Sequence, residues 1–140
     1  MTDPSIIDRT VQQTNAWLGE VADRLESDDD HRGAYRILRA YLHALRDRLT
    51  VDEAAQLGAQ LPLLIRGIYY EGWNPSKTPV KYHHIDEFLG RVRDEAELPG
   101  ETSASYAVSV AAEVLREHVS AGEIDDIRAQ LPKELQPILG

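Results

Sequence analysis

Apolar residues recur along most of the chain at intervals of three and four, the period of a helix with one buried face. Ile7, Val11, Thr14, Leu18, Val21 and Leu25 form the first such stripe, widened by Trp17. Asp3-Pro4 places proline where a helix can begin. Asp28-Asp29-Asp30 interrupts the stripe and offers an N-cap and favourable charge to a second helix, about His31 to Leu49. Its inner side is Ala34, Leu38, Tyr41, Leu42, Leu45 and Leu49. Thr50 and Glu53 have the spacing of a capping box, so a third helix starts there and turns Ala54, Leu57 and Leu61 inward. Pro62 lets a helix begin but not continue. Pro62–Gly72 therefore reads as a fourth helix, with Leu64, Ile65 and Ile68 buried and Gly72 as its stop.

Trp73 to His84 is a long stretch without periodicity, and it holds Pro75 and Pro79. The stripe then resumes at Ile85, Leu89, Val92 and Ala96. After Pro99-Gly100 comes a helix from about Ser103 to Val119, then a second capping box at Ser120 and Glu123. Ala129-Gln130-Leu131-Pro132 repeats Ala59-Gln60-Leu61-Pro62 letter for letter. At the same offset Leu45-Arg46 falls on Leu115-Arg116, Thr50 on Ser120 and Glu53 on Glu123. The pattern predicts an internal duplication of a four-helix unit whose last copy is short, because Pro132 and Pro137 leave room for little more than a turn. No segment alternates like a strand. Half of this chain is marginal for a core of its own. The expected fold is all-α: one domain over residues 1–140, a bundle of about seven or eight helices. The repeat halves are about 4–72 and 83–139, joined by connector 73–82 and related by pseudo-two-fold symmetry.

Gln60-Leu61-Pro62 leading into Arg66-Gly67-Ile68-Tyr69-Tyr70-Glu71-Gly72-Trp73, then Pro75, Pro79 and Phe88-Leu89, resembles the domain of unknown function 2267 family. So does Val119-Ser120-Ala121-Gly122-Glu123-Ile124 leading to Arg128-Ala129-Gln130-Leu131-Pro132. The resemblance runs from about Asp8 to Leu139. It implies a small, all-helical prokaryotic protein with no established activity, and it carries no catalytic or binding residues onto this chain.

Composition narrows the function classes. With 42% hydrophobic and 28% charged residues the chain is an ordinary folded protein. It contains no cysteine, which excludes disulfides, thiolate metal sites and cysteine nucleophiles. Without a signal peptide or an apolar run long enough to span a membrane, the expected location is cytoplasmic. Fifteen Lys+Arg stand against 24 Asp+Glu, a net charge of −9, which argues against nucleic acid as a partner.

Two constellations are candidate surfaces. Arg32, Arg36, Arg39, His43 and Arg46 lie within an arc of roughly 80° on the second helix, a stripe that could meet a partner or an anion. Its plainer reading is a solvated face laced to acidic neighbours such as Asp28 to Asp30. The second copy keeps only Arg116 of these charges, so Arg46 and Arg116 read as structural, each pinning a corner with the capping-box glutamate seven residues on. The other candidate is the connector region: Arg66, Tyr69, Tyr70, Trp73, Lys77, Lys81, Tyr82, His83 and His84. Aromatics among cations suit an anionic or planar ligand or a protein hot spot. The plainer reading has Tyr69, Tyr70 and Trp73 covering the junction between halves.

His83 and His84 with Asp86 and Glu87 lack a third histidine at metal spacing, and no metal site or cofactor is assigned. Thr50, Ser103 and Ser120 read as helix caps rather than nucleophiles, and no phosphate loop or Rossmann fingerprint occurs. The expected function is a non-enzymatic interaction or small-ligand and anion-binding module. The alternatives are a metal-dependent protein or enzyme using His83, His84 and Glu87, and a structural or stress-related protein that self-associates as a homo-oligomer.

Overall fold

The computed structural model describes residues 4–25 and 31–140, and every described element is helical. The sequence reading of Asp3 and of Asp28-Asp29-Asp30 falls outside these residues. The α-helices are α1 (Pro4–Arg24), α2 (His31–Arg48), α3 (Val51–Ala59), α4 (Leu63–Tyr70), α5 (Ile85–Ala96), α6 (Glu101–His118) and α7 (Ala121–Gln130). Short 3-10 segments occupy Pro75–Lys77 and Lys133–Leu139. The all-α expectation holds.

α2 lies at the centre and packs against α1, α4, α5 and α6. Its carboxyl-terminal half is buried all round, from Ala40 to Arg46. One continuous apolar cluster runs from Trp17 to Leu139 and takes in Leu42, Leu45, Tyr69, Phe88, Leu115 and Ile138. Tyrosine hydroxyls reach main-chain carbonyls inside it: Tyr41 donates to Ile138 and Tyr69 to Ala54, each at 2.7 Å. Neither phenol therefore leaves a polar group unmet in the core. Burial raises the Tyr41 and Tyr69 hydroxyls above the ordinary phenol range.

Local chemistry explains the breaks. Thr50 and Ser120 cap α3 and α7, each accepting from the main-chain N–H three residues on, at 3.2 Å. Pro62 sits just before α4, where its missing N–H costs nothing. Arg66 closes the α3–α4 corner by donating to the carbonyls of Gly58, Ala59 and Leu61. Gly58 lies under Tyr69 and Tyr70, and a β-carbon there would collide with the Tyr70 ring.

Several details differ from the sequence reading. Ile7 and Val11 are exposed, because the first turns of α1 bury Thr10 and Thr14 instead, Thr10 against the start of α4. Leu64 is exposed too, since α4 turns Ile65 and Tyr69 inward instead. α6 starts at Glu101 with Gly100 as its cap, so Ser103 lies within the helix and caps nothing. The final segment is a 3-10 stretch that accommodates Pro137 and buries Leu135, Ile138 and Leu139.

Candidate functional site

Arg36, Arg39, His43 and Arg46 of the stripe are engaged, and Arg32 is exposed. Arg36 meets Glu97 at 3.3 Å, and Arg39 meets Glu95 at 3.0 Å and also Glu71. The Arg39 guanidinium holds the Glu71 carboxyl below the usual carboxylate range. His43 is buried, with Nε2 2.8 Å from the Ile68 carbonyl and Nδ1 2.8 Å from Glu95. The acidic partners of Arg36, Arg39 and His43 come from the carboxyl-terminal ends of α5 and α4. The stripe departs from a solvated face at His43 and Arg46, which the neighbours of α2 cover.

Arg46 does not pair with Glu53. It donates to Asp47 and to the carbonyls of Tyr69 and Glu71, which ties the end of α4 to α2. The expected Arg–Glu corner is thus replaced by a guanidinium that satisfies otherwise unpaired carbonyls at a helix end.

The connector folds back on α2 as a strap. Val80 N–H donates to the Asp47 carbonyl at 2.7 Å, and Arg48 donates to the Tyr82 carbonyl at 2.9 Å. Tyr82 is buried between the guanidiniums of Arg48 and Arg91, 5.6 and 5.4 Å from its ring centre. Burial pushes its phenol up to about 12. Tyr69 is core, and Tyr70 bridges it to half-buried Trp73 through ring contacts of 5.0 and 5.3 Å. Arg66 is occupied at its corner. Lys77 and Lys81 are exposed, and Lys77 borders a small hollow of about 230 Å³ with Asp47, Gly72 and Asn74. The proposed ligand residues are therefore spread between core, corner and surface. His84 meets Glu134 at 3.0 Å. Among the described residues His83, His84 and Glu87 do not converge as metal ligands.

Three groupings escaped the sequence reading. The first is where α3 meets α7. Gln130 accepts from the N–H and hydroxyl of Thr50 and donates to Glu53 at 3.0 Å. Gln60 accepts from the N–H of Ser120 at 2.8 Å and donates to its hydroxyl at 3.1 Å. In a capping box the glutamate would serve that cap N–H. Here a glutamine from the facing helix serves it, and both glutamates turn inward. Glu53 and Glu123 are 4% and 6% exposed, and together with exposed Asp126 they bring carboxylate oxygens within 4.8 Å of one another. Burial, then the neighbouring Glu53, pushes the Glu123 carboxyl up to about 8. The shared glutamine–proline tetrapeptide was the available signal.

The second grouping is an apolar strip. Ile6, Ile7 and Val11 of α1 and Leu63 and Leu64 of α4 are each between 44% and 52% exposed. The Leu64 N–H donates to the Thr10 hydroxyl at 2.8 Å, which holds the two helices side by side. The third is a cleft of about 440 Å³ beside the strip, lined by Gln13, Ala16, Trp17, Gln60, Leu61, Pro62 and His118. Trp17 forms its floor, with the His118 imidazole stacked on it at 4.5 Å. His118 is held by Glu20 at 2.7 Å.

Compared with known families, residues 14–138 match the model described as an uncharacterized conserved protein, DUF2267. The chain belongs to the DUF2267 family. The matched span includes the α3–α7 contact, the strap and the lining of the cleft except Gln13. Ile6, Ile7 and Val11 lie before it. No curated protein matches the chain. Membership in DUF2267 brings no catalytic assignment.

Proposed function

We propose that this DUF2267 chain is a non-catalytic interaction module that docks an apolar helical segment of a partner protein along the α1–α4 strip. The observation that carries this reading is the gathering of Ile6, Ile7, Val11, Leu63 and Leu64, each about half exposed, along two adjacent helices. Such a strip leaves apolar area in water unless something covers it, and helix-in-groove binding covers it with anchors spaced three and four apart. The neighbouring cleft, whose lining includes Ala16, Leu61 and Pro62, offers a place for one apolar anchor. No described helix is long and apolar enough to cross a membrane. A cytoplasmic setting, supported by the cysteine-free composition, is part of the reading.

The same reading takes the chain as one domain of two related halves. The reciprocal bonds Gln60 to Ser120 and Gln130 to Thr50, which share one residue offset, support it.

The test is a double variant, Ile7→Asp with Leu63→Asp. Affinity capture on the wild-type chain, followed by mass spectrometry, is expected to recover a protein that the folded double variant fails to retain. A wild-type chain that scatters light as a dimer, and a variant that scatters as a monomer, would make a second copy the partner. Equal retention by both chains would sink the proposal.

A further inference from the structure

Glu53 and Glu123 present a charge problem that the rest of the molecule leaves open. Both residues are more than nine-tenths buried, and their carboxyls lie within hydrogen-bonding reach of each other. Glu53 Oε2 and Glu123 Oε1 are sealed and meet no donor from any other described residue. Gln130 satisfies only the other oxygen of Glu53. Among the described residues no lysine, arginine or histidine forms an ion pair with either glutamate. Leaving buried carboxylates unpaired is costly, so a positive charge belongs between them, either a proton or a metal ion.

Asp126 favours the metal ion. It adds a third carboxylate oxygen to the same small volume, at the solvent side. A single shared proton would bridge one pair of oxygens and leave Asp126 as added repulsion. A divalent cation would be met by all three groups, with water completing its shell on the open side. Sequence alone does not point to this site: Glu53 and Glu123 sit seventy residues apart, and each reads as the glutamate of a capping box.

We propose that Glu53, Glu123 and Asp126 bind a divalent cation that ties α3 to α7. An all-oxygen, all-carboxylate ligand set selects the hard class, Mg²⁺, Ca²⁺ or Mn²⁺, over thiophilic or imidazole-preferring metals. Gln130 is a positioning residue: its amide fixes Glu53 while its oxygen takes over the cap N–H that Glu53 would otherwise serve.

The experiment uses the full chain, freed of metal with chelator and returned to neutral, chelator-free buffer. Mn²⁺ is titrated in while free ion is read by electron paramagnetic resonance. One Mn²⁺ per chain is expected to bind below about 1 mM, to be displaced by Ca²⁺ or Mg²⁺, to raise the melting temperature and to release a proton. Asp126→Asn, on the surface, is expected to melt normally without metal and to weaken binding about tenfold or more. Glu123→Gln is expected to abolish it. Failure of Mn²⁺ to bind up to that concentration would overturn the proposal and leave a shared proton as the bridge. Undiminished binding by Asp126→Asn would overturn it as well, since the ion would then sit elsewhere on the acidic surface.

Discussion

Arg46 donates from one guanidinium nitrogen to the carbonyl of Tyr69 at 2.6 Å, and from the same nitrogen to that of Glu71 at 2.7 Å. One buried side chain on α2 thereby closes the end of α4. Replacing it with methionine keeps the bulk but strands two carbonyls and the neighbouring Asp47. Arg46→Met is expected to cost about 3 kcal/mol in urea unfolding. A loss under about 0.5 kcal/mol would show that water serves these carbonyls equally well.

Gly58 lies in a helix, where alanine ordinarily gains about 1 kcal/mol. Its neighbours reverse the sign. A β-carbon would strike Tyr70 and press on the Tyr69 ring at 3.1 Å. Gly58→Ala is expected to lower stability by about 1–2 kcal/mol, within the range for overpacked sites. A stabilised variant in thermal melts would mean that Tyr70 swings aside freely.

Two isoleucines of similar helical setting should behave differently. Ile65 is fully buried and Ile7 is half exposed. Ile65→Ala is expected to cost about 2–5 kcal/mol, and Ile7→Ala less than about 1. Denaturant unfolding of the pair measures the contrast. Equal losses would mean that Ile7 is covered in solution, in the free protein.

The triple variant Arg32→Ala, Arg36→Ala, Arg39→Ala is expected to fold. Its partners Glu71, Glu95 and Glu97 lie on the surface or are only partly covered, and exposed ion pairs contribute about 0–1 kcal/mol each. Circular dichroism should match the wild type, with a melting difference that shrinks in high salt. An unfolded product would assign the stripe to the core.

Glu123 supplies a pH dependence in metal-free buffer. The unfolded chain gives up this proton near 4.5, whereas the folded chain keeps it up to about 8. The group's contribution is complete below about 4.5 and is lost as pH rises toward about 8. The glutamine variant cannot ionise there. The melting advantage of Glu123→Gln over wild type, both in chelator, is expected to grow across that window. A constant difference would mean that the carboxyl ionises in the folded chain as it does in the unfolded one.

How much of this was readable beforehand depended on how local the cause was. The capping threonine and serine, the proline before α4 and the long break after Gly72 all act within a turn of chain, and each stands where the pattern put it. Ile7, Val11 and Leu64 fit the apolar period equally well yet are exposed. Periodicity reports which side of a helix is apolar, and it is silent on how far the covering neighbour extends. The connector's aromatics read as a recognition surface because composition cannot separate a tyrosine that meets a ligand from Tyr69, whose hydroxyl closes on Ala54 inside the core.

By itself the sequence determined an acidic, cysteine-free, all-helical chain and several of the places where its helices begin and end, the caps of α3 and α7 and the proline before α4 among them. Those follow from backbone hydrogen bonds four residues apart, from caps, and from prolines that cannot donate. Tertiary structure alone decided that Gln60 and Gln130 cross over to serve the opposite caps, that Glu53 and Glu123 are turned into one buried site, and that an apolar strip stays uncovered on α1 and α4. Each of these depends on which distant surfaces meet, and a side chain's neighbours across such a contact are set by packing of the whole chain rather than by the residues beside it.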